Sequence, residues 1–203
     1  MAKELVFGTT NPGKIAQIQG ALEPLGIVVR GIGDFDISLD VEEDGETAQE
    51  NARKKATTYV GELGRTVFSM DNALYLDGLA DADQPGLHVR RIPGSASDRP
   101  SDDELLTYYS ALIKAHGGKM TGRWEFALAI ARPDGTIAET IIISPRQFVS
   151  TPSQRVVAGY PLESIQVDPE SGRCISDMSE SDQAEFWQRS IGGPLSKFVA
   201  ANL

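Results

Sequence analysis

Apolar residues near the start of the chain alternate between strand-like runs and a helix-like repeat. Residues 5–7 form a short apolar run that ends at Gly8, which predicts a first strand. Apolar side chains then recur at helical spacing over residues 15–25, and Gly26 predicts the end of that helix. A second strand is predicted over residues 27–32, so the chain opens as strand, helix, strand.

A second helix and a third strand are predicted after an acidic loop. Thr47 and Glu50 have the spacing of a capping box, with Thr47 as the N-cap of the helix. Small residues follow at every fourth position, and two glycines within residues 61–64 predict where this helix ends. Residues 66–70 predict a third strand, and we expect Asp71 at its C-terminal end.

The middle of the chain predicts a long loop, a helix and a hairpin. Residues 80–100 are rich in Asp, Gly, Pro and Ser, which is typical of a surface loop. Ser101 and Glu104 form a second capping box at the start of a helix. Apolar runs over residues 124–131 and 136–143 are joined by an Arg-Pro-Asp-Gly turn, which predicts a hairpin.

Two further helices are predicted near the end of the chain, over residues 182–188 and after Pro194. Strands that mix with helices and include a hairpin predict an α/β fold with a mixed sheet flanked by helices. The length of 203 residues fits one domain, so we expect a single domain over residues 1–203.

The composition narrows the classes of function. With 19 Lys and Arg against 29 Asp and Glu, the net charge of −10 argues against non-specific binding to nucleic acid or to anionic membranes. A single cysteine excludes a disulfide framework and a cysteine-based zinc site. No apolar run approaches the ~20 residues of a membrane span, and the N-terminal apolar stretch is too short for a signal peptide. We therefore expect a cytoplasmic location.

Residues 8–14 match the spacing of a phosphate-binding loop between a strand and a helix. Backbone N–H groups and the helix N-terminus of such a loop can bind phosphate, and Lys14 adds a positive charge. The Ser or Thr that holds Mg²⁺ in a P-loop is replaced here by Ile15. The plainer alternative is a Gly-Pro turn with a solvated lysine.

Acidic residues are the candidate metal ligands. Glu42 and Glu43 lie in the loop before the second helix, and Asp71 follows a buried strand. Carboxylates in such positions can hold Mg²⁺, and Asp71 could also deprotonate a water. The plainer alternatives are a solvated loop for the two glutamates and a hydrogen-bonded turn for Asp71. Lys54 and Lys55 are expected to form ion pairs on the helix surface.

Taken together and in this order, these segments resemble the Ham1 family of inosine triphosphate pyrophosphatases. Thr9, Asn11 and Lys14 match the family pattern T-x-N-x-x-K, and residues 43–56 match E-x-G-x-T-x-x-E-N-A-x-x-K-A. Residues 70–74 resemble D-D-S-G-L, with Met70 in place of the first Asp, and Pro85, Gly86 and Arg91 match P-G-x-x-x-x-R. The resemblance is strong over residues 5–95.

The second half resembles the family more loosely. The matching segments are Ser144-Pro145-Arg146 for P-R-G, Gly159-Tyr160-Pro161 for G-Y-D-P without its Asp, and Asp177-Met178-Ser179 for A-E-M-S. The family's Lys and S-H-R-G grip the purine and phosphates. Alignment through Leu195 and Lys197 places Glu185 at the Lys and residues 189–192 at S-H-R-G, with neither His nor Arg in register.

The resemblance implies two lobes around a central elongated sheet, a nucleotide between them, and a homodimer. It also implies hydrolysis of non-standard purine nucleoside triphosphates to a monophosphate and pyrophosphate. We expect Glu42 and Asp71 to hold Mg²⁺, with Glu43 as the alternative to Glu42, while Asp71 and Lys14 are catalytic. The predicted substrate-binding residues are Thr9, Thr10, Asn11, Pro12, Gly13, Lys14, Asn72, Gly159 and Tyr160. Local positive charge is offered by Lys14, Arg53, Lys54, Lys55, Arg90 and Arg91.

Two other interpretations stay open. One keeps the fold and changes the base preference, as in an enzyme adapted to a specialised pathway. The other is a catalytically silent nucleotide-binding or regulatory protein. Met70, Pro161 and Glu185 favour the second, because each replaces a polar or basic residue of the family pattern.

Overall fold

The computed structural model describes residues 3–35, 37, 39, 41–97 and 99–203. In these ranges the strands are β1 (Lys3–Phe7), β2 (Ile27–Gly31), β3 (Val67–Leu76), β4 (Lys119–Ala131), β5 (Ile137–Val149) and β6 (Gln166–Val167). The α-helices are α1 (Pro12–Leu22), α2 (Ala48–Leu63), α3 (Asp102–Ala115), α4 (Glu180–Trp187) and α5 (Gly193–Asn202).

The strands form one sheet in the order β2-β1-β3-β4-β5-β6. Strand β1 pairs in parallel with both β2 and β3, whereas β5 and β6 are antiparallel. Parallel pairs require crossover connections, and α1 and α2 supply them. The predicted α/β fold with a mixed sheet is confirmed.

The chain divides into two compact units. The first comprises Met1–Asn72, Glu125–Ile142 and Ala184–Leu203, and the second comprises Ala73–Trp124 and Ile143–Gln183. One core cluster of the first unit contains Val6, Ile32, Tyr59 and Val67. A core cluster of the second unit contains Leu74, Tyr109, Ile113, Phe148 and Ile165, among others.

Strand β3 is longer than the sequence pattern predicted, and this changes the position of Asp71. We expected the strand to end before Asp71, but it runs from Val67 to Leu76. The reason is that Ala73–Leu76 is a second apolar run, with Ala73, Leu74 and Leu76 buried. Asp71 therefore lies in the middle of a strand, and the expected C-terminal position was wrong.

The ends of α2 also differ from the prediction. Thr47 caps the helix, since its side chain accepts a hydrogen bond from Glu50 N, but Glu50 Oε2 accepts from Glu46 N at 2.7 Å instead of from Thr47. Gly61 lies inside the helix, and only Gly64, with a left-handed φ of 61°, ends it. The predicted reciprocal capping box is therefore half formed.

The other elements follow the sequence pattern more closely. Ser101 and Glu104 form the complete capping box at the start of α3. The predicted hairpin is present as β4 and β5, closed by a 2.9 Å hydrogen bond from Arg132 N to Thr136 O, and both strands are longer than expected. The two final helices are joined without a loop, by a π-helical segment over Gln188–Gly192. Among the described helices, none combines the length and apolar character that crossing a membrane requires.

Candidate active site

The loop after β1 leads into α1 and caps the N-terminus of that helix. Asn11 is the N-cap of α1, and its Oδ1 accepts hydrogen bonds from Gly13 N at 2.9 Å and Lys14 N at 3.2 Å. Thr9 Oγ1 accepts a hydrogen bond of 3.2 Å from Asn11 N. Pro12 fits the first turn because no intrahelical partner is needed for its missing N–H. An anion near this end of α1 would meet the positive end of the helix dipole.

The loop is anchored tightly to the sheet on its N-terminal side. Gly8 N donates a hydrogen bond of 2.8 Å to Phe68 O on β3. A Cβ atom at Gly8 would lie 2.9 Å from Cδ2 of Tyr59, so only glycine lets β1 approach α2 this closely. Thr10, Asn11, Pro12 and Gly13 are exposed. The predicted phosphate-binding residues therefore form an accessible loop on a rigid support.

Lys14 belongs to a cluster of opposite charges. Burial lowers the pKa of the Lys14 ammonium, and the nearby Lys55 lowers it further. The carboxylates of Asp71 and Glu43 act in the opposite direction and raise this pKa. Lys14 and Asp71, two of the predicted residues, therefore lie in one cluster of charges within the first unit.

Lys55 is the functional candidate whose environment the sequence analysis missed. It was expected on the helix surface, but it is 7% exposed, whereas the Lys54 side chain is 40% exposed and pairs with Asp44 at 2.5 Å. Lys55 Nζ donates hydrogen bonds to the Glu43 carboxylate and, at 3.1 Å, to Met70 O. It also lies 3.5 Å from Asp71 Oδ1. The available signal was its spacing from the buried alanines of the small-residue stripe.

Asn51 holds the other oxygen of Asp71. Asn51 Nδ2 donates a hydrogen bond of 3.0 Å to Asp71 Oδ2, and Asn51 Oδ1 accepts one of 2.8 Å from Gly45 N. A Cβ atom at Gly45 would lie 2.7 Å from Asn51 Oδ1 and 2.8 Å from Glu50 Cβ. Glycine is therefore required at position 45 for the acidic loop to approach α2. The hydrogen bond from Asn51 gives the Asp71 carboxylate a defined orientation.

Residues on either side of Asp71 have different environments. The Met70 side chain is buried, with 3% exposure, where the family pattern has a carboxylate. Asn72 Oδ1 is buried and accepts no hydrogen bond from any described residue. Because a buried acceptor without a donor is costly, Asn72 is suited to a ligand that supplies one. That Asn72 binds substrate stays a prediction.

Asp71, with Glu42 or the alternative Glu43, stays the predicted carboxylate set for a metal. Both glutamates are exposed, and Glu43 is linked to Asp71 through Lys55. Within the described ranges, no group of three or more His, Cys, Asp or Glu side chains is placed to hold a metal ion. Mg²⁺ needs only one or two protein carboxylates when substrate phosphates and waters complete its shell. The donor set of Asp71 and Glu43 therefore fits Mg²⁺ that is shared with a phosphate ligand.

The remaining predicted binding residues, Gly159 and Tyr160, lie in the second unit. Tyr160 N donates a hydrogen bond of 2.9 Å to Val157 O, which closes a turn with Gly159 at a φ of 81°. Pro161, which replaces the Asp of the family pattern, begins a short 3₁₀ helix over Pro161–Ser164 and is buried.

The polar residues near the C-terminus lie in different elements. Glu185 is exposed on α4, and Arg189 lies in the π-helical segment. Arg173, in the second unit, pairs with Asp182 at 2.7 Å.

Comparisons with known proteins identify the family. A family model described as the Ham1 family matches residues 5–189 of the chain. A dITP/XTP pyrophosphatase of Exiguobacterium sp. is 34% identical over 151 residues, which cover 70% of this chain and 74% of the relative. A dITP/XTP pyrophosphatase of Bacillus subtilis is 30% identical over 187 residues, which cover 92% of this chain and 91% of the relative.

A solved structure supports the same fold. The Ham1 protein of Staphylococcus aureus superimposes with a TM-score of 0.72 at 20% identity, and the match covers 99% of this chain and 100% of that chain. At this identity the likeness shows the fold alone. Because the family model spans most of the sequence, the chain belongs to the Ham1 family.

Proposed function

We propose that this protein is a nucleoside triphosphate pyrophosphohydrolase. It cleaves the bond between the α- and β-phosphates of non-standard purine nucleotides such as dITP and XTP, and it releases a nucleoside monophosphate and pyrophosphate. Relatives named dITP/XTP pyrophosphatase support this assignment. The observation that carries it is the Asp71 carboxylate, held by Asn51 and Lys55 within the charge cluster of Lys14.

In this proposal the phosphates bind at the N-terminus of α1. Lys14 and Lys55 supply positive charge, and the positive end of the α1 helix dipole adds to it. A local cationic pair allows a chain with a net charge of −10 to bind a polyanion. Lys55 neutralises the Asp71 and Glu43 carboxylates before the nucleotide binds, which limits their repulsion of phosphate.

Asp71 acts on the water that attacks the α-phosphorus. Asn51 fixes its Oδ2, so Oδ1 is the oxygen that accepts the proton of the water. A new bond forms between the water oxygen and the α-phosphorus, the bond to the bridging oxygen of the β-phosphate breaks, and pyrophosphate leaves. Lys14 stabilises the negative charge that develops on the phosphate oxygens.

Asp71 and Glu43 are the residues that would hold Mg²⁺. When bound, the ion supplies positive charge that stabilises the phosphate oxygens in the transition state. Asn72 lies next to Asp71 in β3, and its buried Oδ1 would accept a hydrogen bond from the bound ligand.

The proposal is tested by measuring pyrophosphate release from a panel of ribo- and deoxynucleoside triphosphates with Mg²⁺. We expect release from dITP and XTP, and a loss of about 100-fold or more in the Asp71→Asn variant. Asp44→Asn is the matched control, because Asp44 is an exposed carboxylate that pairs with Lys54. Wild-type turnover in Asp71→Asn would remove Asp71 from the proposed role.

A changed base preference is the second candidate, and Pro161 favours it. The family pattern has a carboxylate at this position, whereas Pro161 is a buried residue that begins a 3₁₀ helix. A lost hydrogen-bonding group in a base site reduces discrimination between bases. The same nucleotide panel distinguishes the two, since preference for another base over dITP and XTP supports this candidate.

Assembly as a homodimer and a cytoplasmic location stay predictions. The first follows from the family resemblance, and sedimentation velocity at micromolar protein concentration tests it. A species with twice the chain mass of 21.9 kDa is expected. A single species of 21.9 kDa would contradict the dimer.

A further inference from the structure

A cavity of about 380 Å³ is lined by α1, by the end of α4 and by the π-helical segment over Gln188–Gly192. Pockets of this size commonly bind small molecules. All ten residues that line the cavity belong to the first unit, and none of them is among the residues predicted to bind phosphate, metal or substrate. Ala16, Gly20 and Ala184 on its wall are exposed, so the cavity opens to solvent.

Helix α1 has one face in the core and another on the cavity. Ile18 and Leu22 are fully buried, whereas Ala16 and Gly20 lie one helical turn apart on the cavity wall. A Cβ atom added to Gly20 would meet nothing within 4 Å, and the φ of this residue is not left-handed. Glycine destabilises a helix interior relative to alanine, yet no contact of the fold requires it here. The effect of this glycine is to leave room in the cavity.

The walls of the cavity are fixed by contacts within the first unit. Ser196 Oγ donates a hydrogen bond of 2.8 Å to Ala21 O, which joins α5 to the α1 wall. A Cβ atom at Gly192 would lie 2.6 Å from Gln188 Cδ, so the Gln188 side chain packs against the backbone of the π-helical segment. Segments of this kind occur frequently at functional sites. The cavity therefore exists in the fold before any ligand binds.

Gln17 brings a hydrogen-bond donor to the cavity. It lines the α1 wall, and no described residue accepts a hydrogen bond from its buried Nε2 atom. A buried donor that has lost water and gained no acceptor is costly, so an acceptor supplied by a ligand would stabilise it. The last side-chain torsion of glutamine is soft, and the amide can turn toward an acceptor that enters the cavity.

The wall formed by α4 and the π-helical segment limits the charge of a ligand. Trp187 and Ile191 contribute apolar side chains to this wall, and Glu185 contributes an exposed carboxylate. This carboxylate and the net charge of −10 both oppose an anion. Burial of any unpaired charge against apolar side chains is also costly. A flat, uncharged ring fits such a wall, because aromatic and aliphatic side chains pack against its faces.

We propose that this cavity is a binding site for an uncharged planar molecule of one or two rings that carries a hydrogen-bond acceptor. The acceptor receives a hydrogen bond from Gln17 Nε2, and the ring packs against the apolar wall that includes Trp187. Release of water from apolar surface supplies most of the affinity, and the hydrogen bond supplies the selectivity. The site goes beyond the proposed function and uses no residue of the proposed mechanism.

Quinoline and naphthalene are the probes, because they have nearly the same shape and only quinoline carries a ring nitrogen that accepts a hydrogen bond. Backbone amide resonances of α1 in NMR spectra of the full chain report their binding, and we expect saturable shifts with both. In Gln17→Met, the Kd for quinoline should rise about threefold to tenfold, as for the loss of one hydrogen bond. The Kd for naphthalene should change less than about twofold. Equal changes for the two probes would overturn the inference.

Gly20→Leu tests the cavity itself. The leucine side chain fills the cavity and favours the helix, so we expect both probes to lose saturable binding while the midpoint of thermal unfolding stays at or above that of the wild type. Gly61→Leu is the matched control, because Gly61 is an exposed residue of α2 whose added Cβ atom also meets nothing within 4 Å. It should bind both probes like the wild type.

Three results would overturn the inference. The first is the absence of saturable shifts in the wild-type protein with either probe, and the second is retained binding in Gly20→Leu. The third is tighter binding of 2-naphthoate than of naphthalene, which would show that the cavity accepts an anion. Each of these measurements is made without nucleotide, so its outcome is independent of pyrophosphate release.

Discussion

Asn51 Nδ2 lies 3.0 Å from Asp71 Oδ2, which connects the first turns of α2 to the middle of β3. Asn51 is 2% exposed, so water cannot replace this donor. The same amide accepts a hydrogen bond from Gly45 N, and one side chain therefore orients the acidic loop and the candidate base together. The geometry of the site depends on a residue that need not contact substrate.

Replacement of Asn51 should impair both stability and activity. In Asn51→Ala, Asp71 Oδ2 loses a donor and Gly45 N loses an acceptor, so we expect the free energy of unfolding to fall by about 1–3 kcal/mol. Pyrophosphate release should fall about tenfold or more, because Asp71 is no longer oriented. Urea unfolding and the release assay measure the two effects. Thr57→Ala, at an exposed position on α2, is the control, and equal effects in both variants would contradict the proposed link.

Lys55 should be far more important than its neighbour Lys54. Lys55→Met keeps the apolar stem but leaves Glu43 and Asp71 without their buried cation. We expect pyrophosphate release to fall about 100-fold or more, since the cation also stabilises phosphate charge in the proposed mechanism. Lys54→Met removes an exposed pair with Asp44 and should stay within about twofold of the wild type. Similar activities for the two variants would show that burial of Lys55 has no catalytic consequence.

Removal of Mg²⁺ should abolish pyrophosphate release, and two glutamate variants should identify the second carboxylate ligand. Both glutamates are exposed, and the structure links Glu43 to Asp71 through Lys55. We expect Glu43→Gln to raise the Mg²⁺ concentration for half-maximal activity about tenfold or more, and Glu42→Gln to change it less than about threefold. Titration of Mg²⁺ after treatment with EDTA gives both values. The reverse order would restore Glu42 as the ligand.

The stability of the protein should fall as the pH rises from acidic to neutral, because of Glu163. Burial raises the pKa of Glu163 from 4.5 to about 7, and the positive charge of Arg155 opposes the shift. A carboxyl group with a raised pKa in the folded state stabilises the fold fully below the unfolded pKa of 4.5. This contribution is lost as the pH rises through the folded pKa of about 7.

We therefore expect the free energy of unfolding to decrease by about 1–3 kcal/mol across this pH range. Glu163→Gln should remove most of the decrease, and Glu62→Gln, at an exposed position on α2, should leave it in place. Urea unfolding at several pH values measures the difference. Parallel pH profiles for the wild type and Glu163→Gln would contradict a raised pKa at this residue.

Local signals in the sequence predicted local structure well. The capping box of Ser101 and Glu104, the Pro-Asp-Gly hairpin turn and the loop at Asn11 each depend on neighbours within a few residues. Thr47 and Glu50 show where such reasoning fails. Glu50 can accept from more than one nearby N–H, and the packing of the acidic loop selected Glu46.

The arrangement of the site required the tertiary structure. The environment of Lys55 depends on Met70 in β3 and on Glu43. Lys55 donates hydrogen bonds to these two residues, which lie 15 and 12 positions away along the chain. The continuation of β3 past Asp71 depends on apolar packing of Ala73 and Leu74, which outweighs the polar pair Asp71-Asn72. Gly159 is hydrogen-bonded to Asp102 and Arg90, which lie 57 and 69 positions earlier in the chain. No spacing rule in a single sequence relates such residues.

The π-helical segment over Gln188–Gly192 interrupts the regular helical repeat near the end of the chain. Such a segment accommodates one more residue than an α-helix of equal length. Without that residue, the buried Phe186 would be turned by about 100° about the helix axis relative to the buried Leu195. The segment therefore helps to set which residues on its two sides are buried.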